Sequence, residues 1–260
     1  MSIKLTNKSI KVVIPARFAS SRLPGKPLID LCGHPMIIHV VNRVSSALPY
    51  ADVWVATDDV RIKDVVLEYG YQVMLTNIHH ESGADRIAEL AQKLCWSDDE
   101  TVINVQGDEP LIDIDLLQTF AKFCIEHKSL PMASVMTPAT CLSDINDTNV
   151  VKVTVNQSGE ATMFSRSPLP YCRDLIFNEW PFALFNRHVG IYAYKVSILT
   201  ILTNAPPCEA EKLEKLEQLR ALWLGYSISM LTWTNSIHAG VDSFDDVVRV
   251  RAILNNKAEG

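Results

Sequence analysis

The chain has 260 residues, of which 48% are hydrophobic and 21% are charged, the composition of an ordinary folded protein. Its formal net charge of −6 argues against a general nucleic-acid binder, because such proteins carry a basic surface. No apolar run reaches the roughly 18 residues that a membrane span needs, and the polar N-terminus lacks the apolar stretch of a signal peptide, so we expect a cytoplasmic protein without a membrane partner.

Strand-like and helix-like patterns alternate over the first part of the chain. Short β-branched runs predict strands at residues 10–14, 52–57, 71–76 and 101–105. Apolar residues at helical spacing predict helices at 36–47, 61–69 and 84–94. This alternation predicts βαβ units with a parallel sheet, in which ligands bind beyond the carboxyl ends of the strands.

The pattern becomes richer in strands after residue 130. We expect strands at residues 131–137, 150–155, 160–165, 190–195 and 227–234. A charged helix is predicted at 209–225, and a final helix at 243–255 is N-capped by Ser243 with Asp246 three residues later. The sequence therefore predicts a single α/β domain over residues 1–260, with a Rossmann-like, mainly parallel sheet flanked by helices. A β-rich lobe is inserted at about 130–200.

The loop at residues 15–28, directly after the first strand, combines cations with small residues. Arg17, Arg22 and Lys26 lie within ten residues of one another, and Gly25 precedes the lysine. Small residues let backbone N–H groups approach an anion, and fixed cations neutralise its charge. The spacing is not that of a Walker A loop, so the alternatives are a phosphate cradle and an ordinary basic surface loop.

Two carboxylates lie where strands are expected to end. Asp108 follows the strand predicted at 101–105, and Asp242 lies between a predicted strand and the final helix. Magnesium prefers one or two carboxylates together with phosphate oxygens. The two aspartates would supply the carboxylates, and a bound triphosphate would supply the phosphate oxygens. The alternative is that each carboxylate only caps backbone groups of a turn or helix.

Several further polar residues are candidates for ligand binding, but their sequence pattern alone does not distinguish binding from a structural role. Ser82 and Arg86 lie at a predicted helix start, where N–H donors favour an anion, but an ordinary capped helix has the same appearance. In the second half the candidates are Arg166, His188, Tyr192, Glu217 and Gln218. Glu217 and Gln218 fall in the charged helix predicted at 209–225, and most charged residues on a helix of this kind are simply solvated.

A set of motifs spread from residue 11 to residue 251 resembles the CMP-sugar synthetase family, and within it the 3-deoxy-manno-octulosonate (Kdo) cytidylyltransferases. The motifs are I-P-A-R at 14–17, S-R-L-P-G-K-P at 21–27, V-A-T-D at 55–58, N-V-Q-G-D-E-P at 104–110, F-S-R at 164–166, R-H-V-G-I-Y at 187–192, L-E-Q-L-R at 216–220 and G-V-D at 240–242. Each motif is weak alone, and their order and spacing make the set specific.

The resemblance implies transfer of CMP from CTP to Kdo, an eight-carbon acidic sugar of lipopolysaccharide biosynthesis, with release of diphosphate and with Mg²⁺ as cofactor. It implies catalytic roles for Arg17, Lys26, Asp108 and Asp242, the two aspartates being the metal ligands. The implied nucleotide-binding residues are Pro15, Ala16, Arg17, Arg22, Lys26, Ser82, Arg86, Gln106 and Asp108. The implied sugar-binding residues are Arg166, His188, Tyr192, Glu217 and Gln218, with Arg166 or His188 answering the sugar carboxylate. Members of the family usually form homodimers through the β-rich lobe.

Departures from the family pattern keep alternatives open. Ala84 stands where the family commonly has threonine, His238 and Ala239 replace a Gly-Thr pair, and Ala210 replaces a leucine. These changes spare the two carboxylates, but they leave both Kdo and its 8-amino analogue as possible sugars. Two rival functions are a metal-dependent glycosyltransferase, suggested by the D-x-D pattern at 113–115, and a non-catalytic nucleotide-binding protein.

Overall fold

The structure of the protein, a computed structural model, describes residues 10–19, 23–127 and 129–258, with side chains to residue 256. The chain divides into two compact units. The first comprises residues 1–121 and 237–260, and the second comprises residues 122–236. The second unit is wider than the lobe expected at about 130–200 and contains helices as well as strands. In the part of the chain described, no helix is long and apolar enough to cross a membrane.

The predicted elements occur in the expected order, and the structure adds others between them that the sequence analysis does not predict. The strands are β1 Lys11–Ala16, β2 Asp30–Leu31, β3 His34–Pro35, β4 Asp52–Thr57, β5 Gln72–Leu75, β6 Thr101–Asn104, β7 Met132–Pro138, β8 Lys152–Val155, β9 Ala161–Ser165, β10 Asn186–Lys195 and β11 Ile228–Thr232. The helices are α1 Met36–Ala47, α2 Val60–Glu68, α3 Gly83–Lys93, α4 Ile114–Glu126, α5 Leu142–Asn146, α6 Val196–Asn204, α7 Glu209–Glu214, α8 Gln218–Trp223 and α9 Phe244–Ala258.

The first unit is built on a parallel sheet. Its strand order is β6-β1-β4-β5, and each neighbouring pair runs parallel. The centre of β1 is fully buried, as expected for a strand covered on both faces. The α/β, Rossmann-like fold is therefore confirmed, and the loops that follow β1, β4 and β6 emerge at the same edge of this sheet.

Strand β1 continues through Pro15, although the sequence predicts that it ends there. Pro15 pairs with Ala56 of β4, whereas on the other side the pairing with β6 stops at Val13 and Asn104. A proline lacks the N–H that a central strand needs, but it is tolerated where one side of the strand has no partner. The first strand can therefore carry Pro15 and Ala16 to the edge of the candidate site.

A buried cluster brings the C-terminal segment to the same region. Leu111, from the segment after β6, packs with Met36 of α1 and with Val241, Val247 and Val250 at the C-terminal end of the unit. Val247 and Val250 lie on helix α9, whose start is capped as predicted: the Ser243 hydroxyl accepts from the Asp246 N–H, and the Ser243 N–H donates to the Asp246 carboxylate. This packing fixes the position of the residues just before α9.

The second unit contains a mixed sheet. Strand β7 pairs in parallel with β11 and antiparallel with β10, and β8 joins β10 to β9 in antiparallel pairing. Strand β10 is longer than the segment predicted at 190–195. Its pairing with β7 is interrupted between Val189, opposite Val135, and Tyr192, opposite Ser134. Gly190 and Ile191 form this bulge.

The single helix predicted at 209–225 is wrong, because the segment forms two short helices, α7 and α8. They are separated at Lys215, which has a left-handed φ of 54°. Within this segment Leu213 is 84% exposed, whereas Leu216 and Leu219 are buried. The broken helix leaves the carbonyl of Glu214 unpaired within α7, and Arg166 Nε donates to it. Tertiary contacts thus offset the cost of a left-handed non-glycine residue.

Candidate active site

The ammonium group of Lys26 joins the two predicted metal-binding carboxylates. Its Nζ lies 2.6 Å from Asp108 Oδ2 and 3.2 Å from Asp242 Oδ1, and it donates to the Val241 carbonyl at 2.9 Å. The Lys26 side chain is 15% exposed, whereas that of Asp242 is 53% exposed. Three predicted catalytic residues from distant parts of the chain therefore meet at one point, open to solvent on the side of Asp242.

Close backbone packing produces this meeting point. The Val241 N–H donates to the carbonyl of Asp108 at 2.9 Å, which fixes the segment before α9 against the turn after β6. A Cβ at Gly107 would lie 2.7 Å from the carbonyl oxygen of Pro15, so only glycine lets that turn approach the end of β1 this closely. The G-D pair at 107–108 therefore places Asp108 beside the loop that carries Lys26.

The carboxylate pair fits a magnesium site. One cation, the Lys26 ammonium, already contacts both carboxylates, and magnesium is commonly held by one or two carboxylates plus phosphate oxygens. Within the described residues, no group of three or more His, Cys, Asp or Glu side chains forms an all-protein metal site. Burial raises the pKa of the neighbouring Glu109 to about 8, and the charge of Asp108 raises it as well. Glu109 is therefore largely protonated at neutral pH.

Asp58, which is paired with Arg86, accepts a hydrogen bond from the loop after β1. The Phe18 N–H donates to Asp58 Oδ1 at 3.2 Å, and Asp58 Oδ2 accepts from Arg86 Nη2 at 2.8 Å. Arg86 also donates to Thr76 and to the Asn77 carbonyl. The side chains of Arg86 and Asp58 are 4% and 9% exposed, so this is a buried ion pair. The predicted nucleotide ligand Arg86 is thus held by protein acceptors next to the loop.

The remaining predicted nucleotide-binding residues lie around the same edge. Arg17 is exposed, and Pro15 and Ala16 are buried at the end of β1. Ser82 caps α3, since its hydroxyl accepts from the Asp85 N–H at 3.1 Å, and its nucleotide-binding role stays a prediction. Gln106 begins the turn that contains Asp108. Arg22 lies outside the described residues.

In the second unit, Arg166 is fixed by backbone carbonyls. Its Nε donates to the Glu214 carbonyl at 2.7 Å, and its Nη1 donates to the Thr148 carbonyl at 2.8 Å. Glu214 in turn accepts from Ser165 and from the Arg166 N–H through its carboxylate. The guanidinium therefore has a defined position at the end of β9.

His188 and Tyr192 lie side by side on β10. Their ring centroids are 5.2 Å apart, and Phe164 packs edge-on to the imidazole. Burial lowers the pKa of His188 to about 3, so the ring is neutral at physiological pH. Burial also raises the pKa of Tyr192 well above 10, and nearby Tyr194 and Glu217 act in the same direction. A neutral imidazole carries no charge to balance a sugar carboxylate, which favours Arg166 over His188 for that role, and the assignment stays a prediction.

Gln218 offers a hydrogen-bond donor that no described residue accepts. The residue is 5% exposed at the start of α8, and its Nε2 is buried without a hydrogen-bond partner among the residues that the structure describes. A buried unsatisfied amide is costly and therefore calls for an explanation, such as an acceptor supplied by a ligand. Glu217 immediately precedes it and is the N-cap residue of α8.

Sequence reasoning missed three residues that contact predicted site residues: Asp58, Glu214 and Ser134, whose Oγ lies 2.8 Å from His188 Nε2. Asp58 ends the V-A-T-D motif, so its position after a parallel strand was an available signal. Ser134 is a polar residue within the apolar strand β7, which also marks it as unusual. Glu214 gave no signal, because its role depends on the break between α7 and α8.

The D-x-D pattern of the rival glycosyltransferase function has a structural role here. Asp113 Oδ1 accepts from the Leu116 N–H at 2.8 Å, next to the start of α4, and Asp115 lies in the first turn of that helix. Acidic residues stabilise helix N-termini through capping and through the helix dipole. The pattern is therefore accounted for by helix α4.

Comparison with known proteins agrees with this arrangement. The cytidylyltransferase family model matches residues 11–228, and the chain belongs to the cytidylyltransferase family. It is accordingly a nucleotidyltransferase.

Within that family the chain is similar to proteins named 3-deoxy-manno-octulosonate cytidylyltransferase. The chain is 51% identical over 253 residues to 3-deoxy-manno-octulosonate cytidylyltransferase 2 of Paraburkholderia phytofirmans, covering 97% of this chain and 96% of that protein. It is 47% identical to the protein of the same name from Burkholderia ambifaria, covering 96% and 94%. A solved structure of CMP:2-keto-3-deoxy-manno-octonic acid synthetase complexed with CTP superposes with a TM-score of 0.87 at 38% identity, covering 96% of this chain and 100% of that one.

Proposed function

We propose that the protein transfers a cytidylyl group from CTP to 3-deoxy-manno-octulosonate, giving CMP-Kdo for lipopolysaccharide biosynthesis and diphosphate. The names of the full-length relatives support this reaction, and so does the likeness to a synthetase bound to CTP. The observation that carries the proposal is the contact of Lys26 with Asp108 and Asp242 at the end of the parallel sheet. A cation and two carboxylates suit a triphosphate with its metal ion.

In the proposed reaction the anomeric hydroxyl of the sugar attacks the α-phosphorus, and diphosphate leaves. Both reactants are anions, so cations must lie between them. Arg17 and Lys26, with Arg22, neutralise the triphosphate, while Arg166 faces the sugar carboxylate. Because the transferred group needs little covalent help from the protein, positioning and electrostatic stabilisation supply most of the rate enhancement.

Magnesium is the proposed cofactor, and Asp108 and Asp242 would hold it. When bound, such an ion acts as a Lewis acid that neutralises charge on the phosphoryl oxygens. The proposal is supported by the ammonium group of Lys26, a cation that contacts both carboxylates. Ser82, Arg86 and Gln106 complete the proposed nucleotide site.

The sugar site is proposed on the second unit. Its members are Arg166, His188, Tyr192, Glu217 and Gln218. The unpaired Gln218 Nε2 supports this role, since a sugar hydroxyl or carboxylate is a suitable acceptor. Neutral His188 and Tyr192 then contribute uncharged hydrogen-bonding groups, and Arg166 contributes the charge.

A diphosphate-release assay tests the proposal. CTP, UTP and ATP are each combined with Kdo, 8-amino-Kdo and sialic acid, in the presence and absence of magnesium. We expect release with CTP and Kdo, and loss of release without the metal. Faster release with 8-amino-Kdo would assign the alternative sugar, which the names of the relatives do not favour. An absence of release with CTP and every sugar would contradict the proposed activity.

We also propose a homodimer formed through the second unit. Large apolar side chains between residues 171 and 184 are exposed, among them Tyr171 and Leu184 at 74% each and Ile176 at 67%. A cluster of exposed apolar residues in so short a segment is typical of a protein–protein interface. The family resemblance supports a second copy of this chain as the partner.

A further inference from the structure

The bulge in strand β10 leaves backbone carbonyl groups available for hydrogen bonding with a buried side chain of β7. Between Val189 and Tyr192 the regular pairing with β7 is lost, so the carbonyls of this stretch are not used in a continuous ladder. Ser134, which lies opposite Tyr192, is fully buried. Its Oγ lies 2.8 Å from the Ile191 carbonyl and 3.4 Å from the Val189 carbonyl.

The bulge also brings His188 and Tyr192 together. In a regular strand, residues four apart are separated by about 13 Å, but here the two rings are 5.2 Å apart. The Nε2 atom of His188 consequently lies 2.8 Å from Ser134 Oγ. One hydroxyl group therefore lies within hydrogen-bond distance of an imidazole nitrogen and of a backbone carbonyl.

The direction of these hydrogen bonds follows from the inventory of donors. A backbone carbonyl only accepts, so the single proton of the Ser134 hydroxyl is directed at Ile191. The hydroxyl oxygen is then an acceptor toward His188, and Nε2 must carry the proton. The opposite assignment would place two lone pairs 2.8 Å apart in a buried setting. In the neutral ring, Nδ1 therefore has a lone pair, and no described residue hydrogen-bonds to it.

We propose that Ser134 is a positioning residue that fixes the Nε2–H tautomer of His188, so that Nδ1 accepts a hydrogen bond from a hydroxyl of the sugar substrate. This inference rests on the proposed function, which places His188 in the sugar site. It assigns His188 to a hydroxyl donor and leaves the sugar carboxylate to Arg166. Ser134 acts on the substrate indirectly, through the hydrogen bond of its hydroxyl group with the imidazole.

The first test reads the tautomer directly. The ring ¹⁵N shifts and ¹H–¹⁵N couplings of His188 distinguish the two neutral tautomers in wild-type protein labelled at histidine. We expect a protonated Nε2 and an unprotonated Nδ1, with a mixed population in Ser134→Ala. A protonated Nδ1 in the wild type would overturn the proposal, and this measurement does not depend on any variant folding.

The second test reads the consequence for the substrate. Ser134→Ala should raise the KM for the sugar about tenfold, the effect of weakening one hydrogen bond, while the KM for CTP stays within about twofold. Ser134→Thr, which keeps the hydroxyl, should restore the wild-type value. Ser229→Ala is the matched control, because Ser229 is a buried serine on neighbouring β11 without a bond to His188. An unchanged sugar KM in folded Ser134→Ala would overturn the proposal.

The two tests separate failure of this inference from failure of the proposed function. If the wild-type enzyme does not turn over CTP with any acidic sugar, the proposed function is contradicted. The proposed hydrogen bond between His188 Nδ1 and a sugar hydroxyl is then overturned as well. The tautomer of His188 is still judged by its spectrum alone. If turnover occurs but the tautomer or the sugar KM does not follow Ser134, the proposed function stands and this inference is wrong.

Discussion

Lys26 is held between two carboxylates, and its charge is therefore part of the site before any ligand binds. Removing it leaves Asp108 and Asp242 facing each other without their cation. It also removes a positive group from the proposed triphosphate site. The same contacts make Asp242, the more exposed of the two carboxylates, the one best placed to exchange Lys26 for another cation.

Loss of either charge should abolish most of the activity. We expect Lys26→Ala and Asp242→Asn each to lower kcat by about 10²–10³, as is typical when one electrostatic contact to a transition state is removed. Steady-state kinetics with CTP and Kdo measures the effect, and circular dichroism confirms the fold. Lys122→Ala, at an exposed lysine of α4, is the control. Near-normal kcat in both site variants would contradict the assignment.

The buried imidazole of His188 predicts a pH dependence of stability. Its pKa in the folded protein is about 3, below the ordinary 6.5, so the unfolded chain binds the proton more readily. The contribution to stability is complete above pH 6.5 and is lost as the pH falls toward 3. The added slope cannot exceed about 1.4 kcal/mol per pH unit.

Urea unfolding at pH 4, 5, 6 and 7 tests this dependence. The free energy of unfolding of the wild type should fall more steeply with acidification than that of His188→Phe, which has no group to protonate. Equal slopes for the two proteins would show that His188 titrates normally in the folded state.

At the scale of single residues, position in a parallel sheet made much of the first unit's site predictable. Lys26 and Asp108 follow buried strands, and Asp242 precedes a capped helix, so the sequence indicates that they are near one edge. The roles of Ser134 and Glu214 were not predictable. Each depends on an irregularity, a bulge in one case and a broken helix in the other, that arises from packing between segments distant in sequence.

At the scale of elements, the Arg86–Asp58 pair links helix α3 and strand β4 to the loop after β1. Asp58 accepts from the Phe18 N–H, and the ring of Phe18 lies under the Arg61 guanidinium, 3.4 Å from its Cζ. The helix, the strand and the loop are thus connected through one buried carboxylate.

Breaking this pair should affect both stability and nucleotide binding. We expect Arg86→Met to lower the free energy of unfolding by about 3–5 kcal/mol, the usual effect of leaving a buried charge without its partner, and to weaken CTP binding through movement of the loop. Urea unfolding and calorimetry with CTP provide the measurements.

Lys11→Met is the matched control for Arg86→Met. Lys11 pairs with Asp52 at 3.0 Å, and these are the first residues of β1 and β4, at the end of the strands away from the Arg86–Asp58 pair. Both side chains are more exposed than those of the Arg86–Asp58 pair. Loss of the Lys11 charge should reduce stability less and leave the affinity for CTP unchanged. If both variants bound CTP equally well, the pair would have only a structural role.

The elements themselves were predicted to different extents. Periodicity located α1 and β4 at their observed bounds, because both are long and regularly patterned. The segment at 209–225 was predicted as one helix because its composition favours helix throughout. The break at Lys215 is stabilised by bonds from Ser165 and Arg166 to Glu214, and no local pattern encodes them.

At the scale of the whole molecule, the exposed apolar segment of the second unit predicts self-association. Light scattering should give twice the chain mass of 29.1 kDa. We expect the double variant Ile176→Glu, Leu184→Glu to be monomeric, since it places charges within the proposed interface. Phe244→Glu, at an exposed aromatic residue of the first unit, should remain dimeric. A monomeric wild type would contradict the homodimer.

The first unit is discontinuous in sequence, and this has a consequence for synthesis on the ribosome. Every strand of its sheet is complete by residue 104, yet Val241 and Asp242 belong to a segment that is translated only after the whole second unit. A nascent chain that ends before residue 237 lacks one of the two carboxylates and the valines that pack against Met36 and Leu111. If Asp242 has its proposed role, we expect the nascent enzyme to be inactive throughout elongation of its second unit and to become active only when residues 237–260 dock.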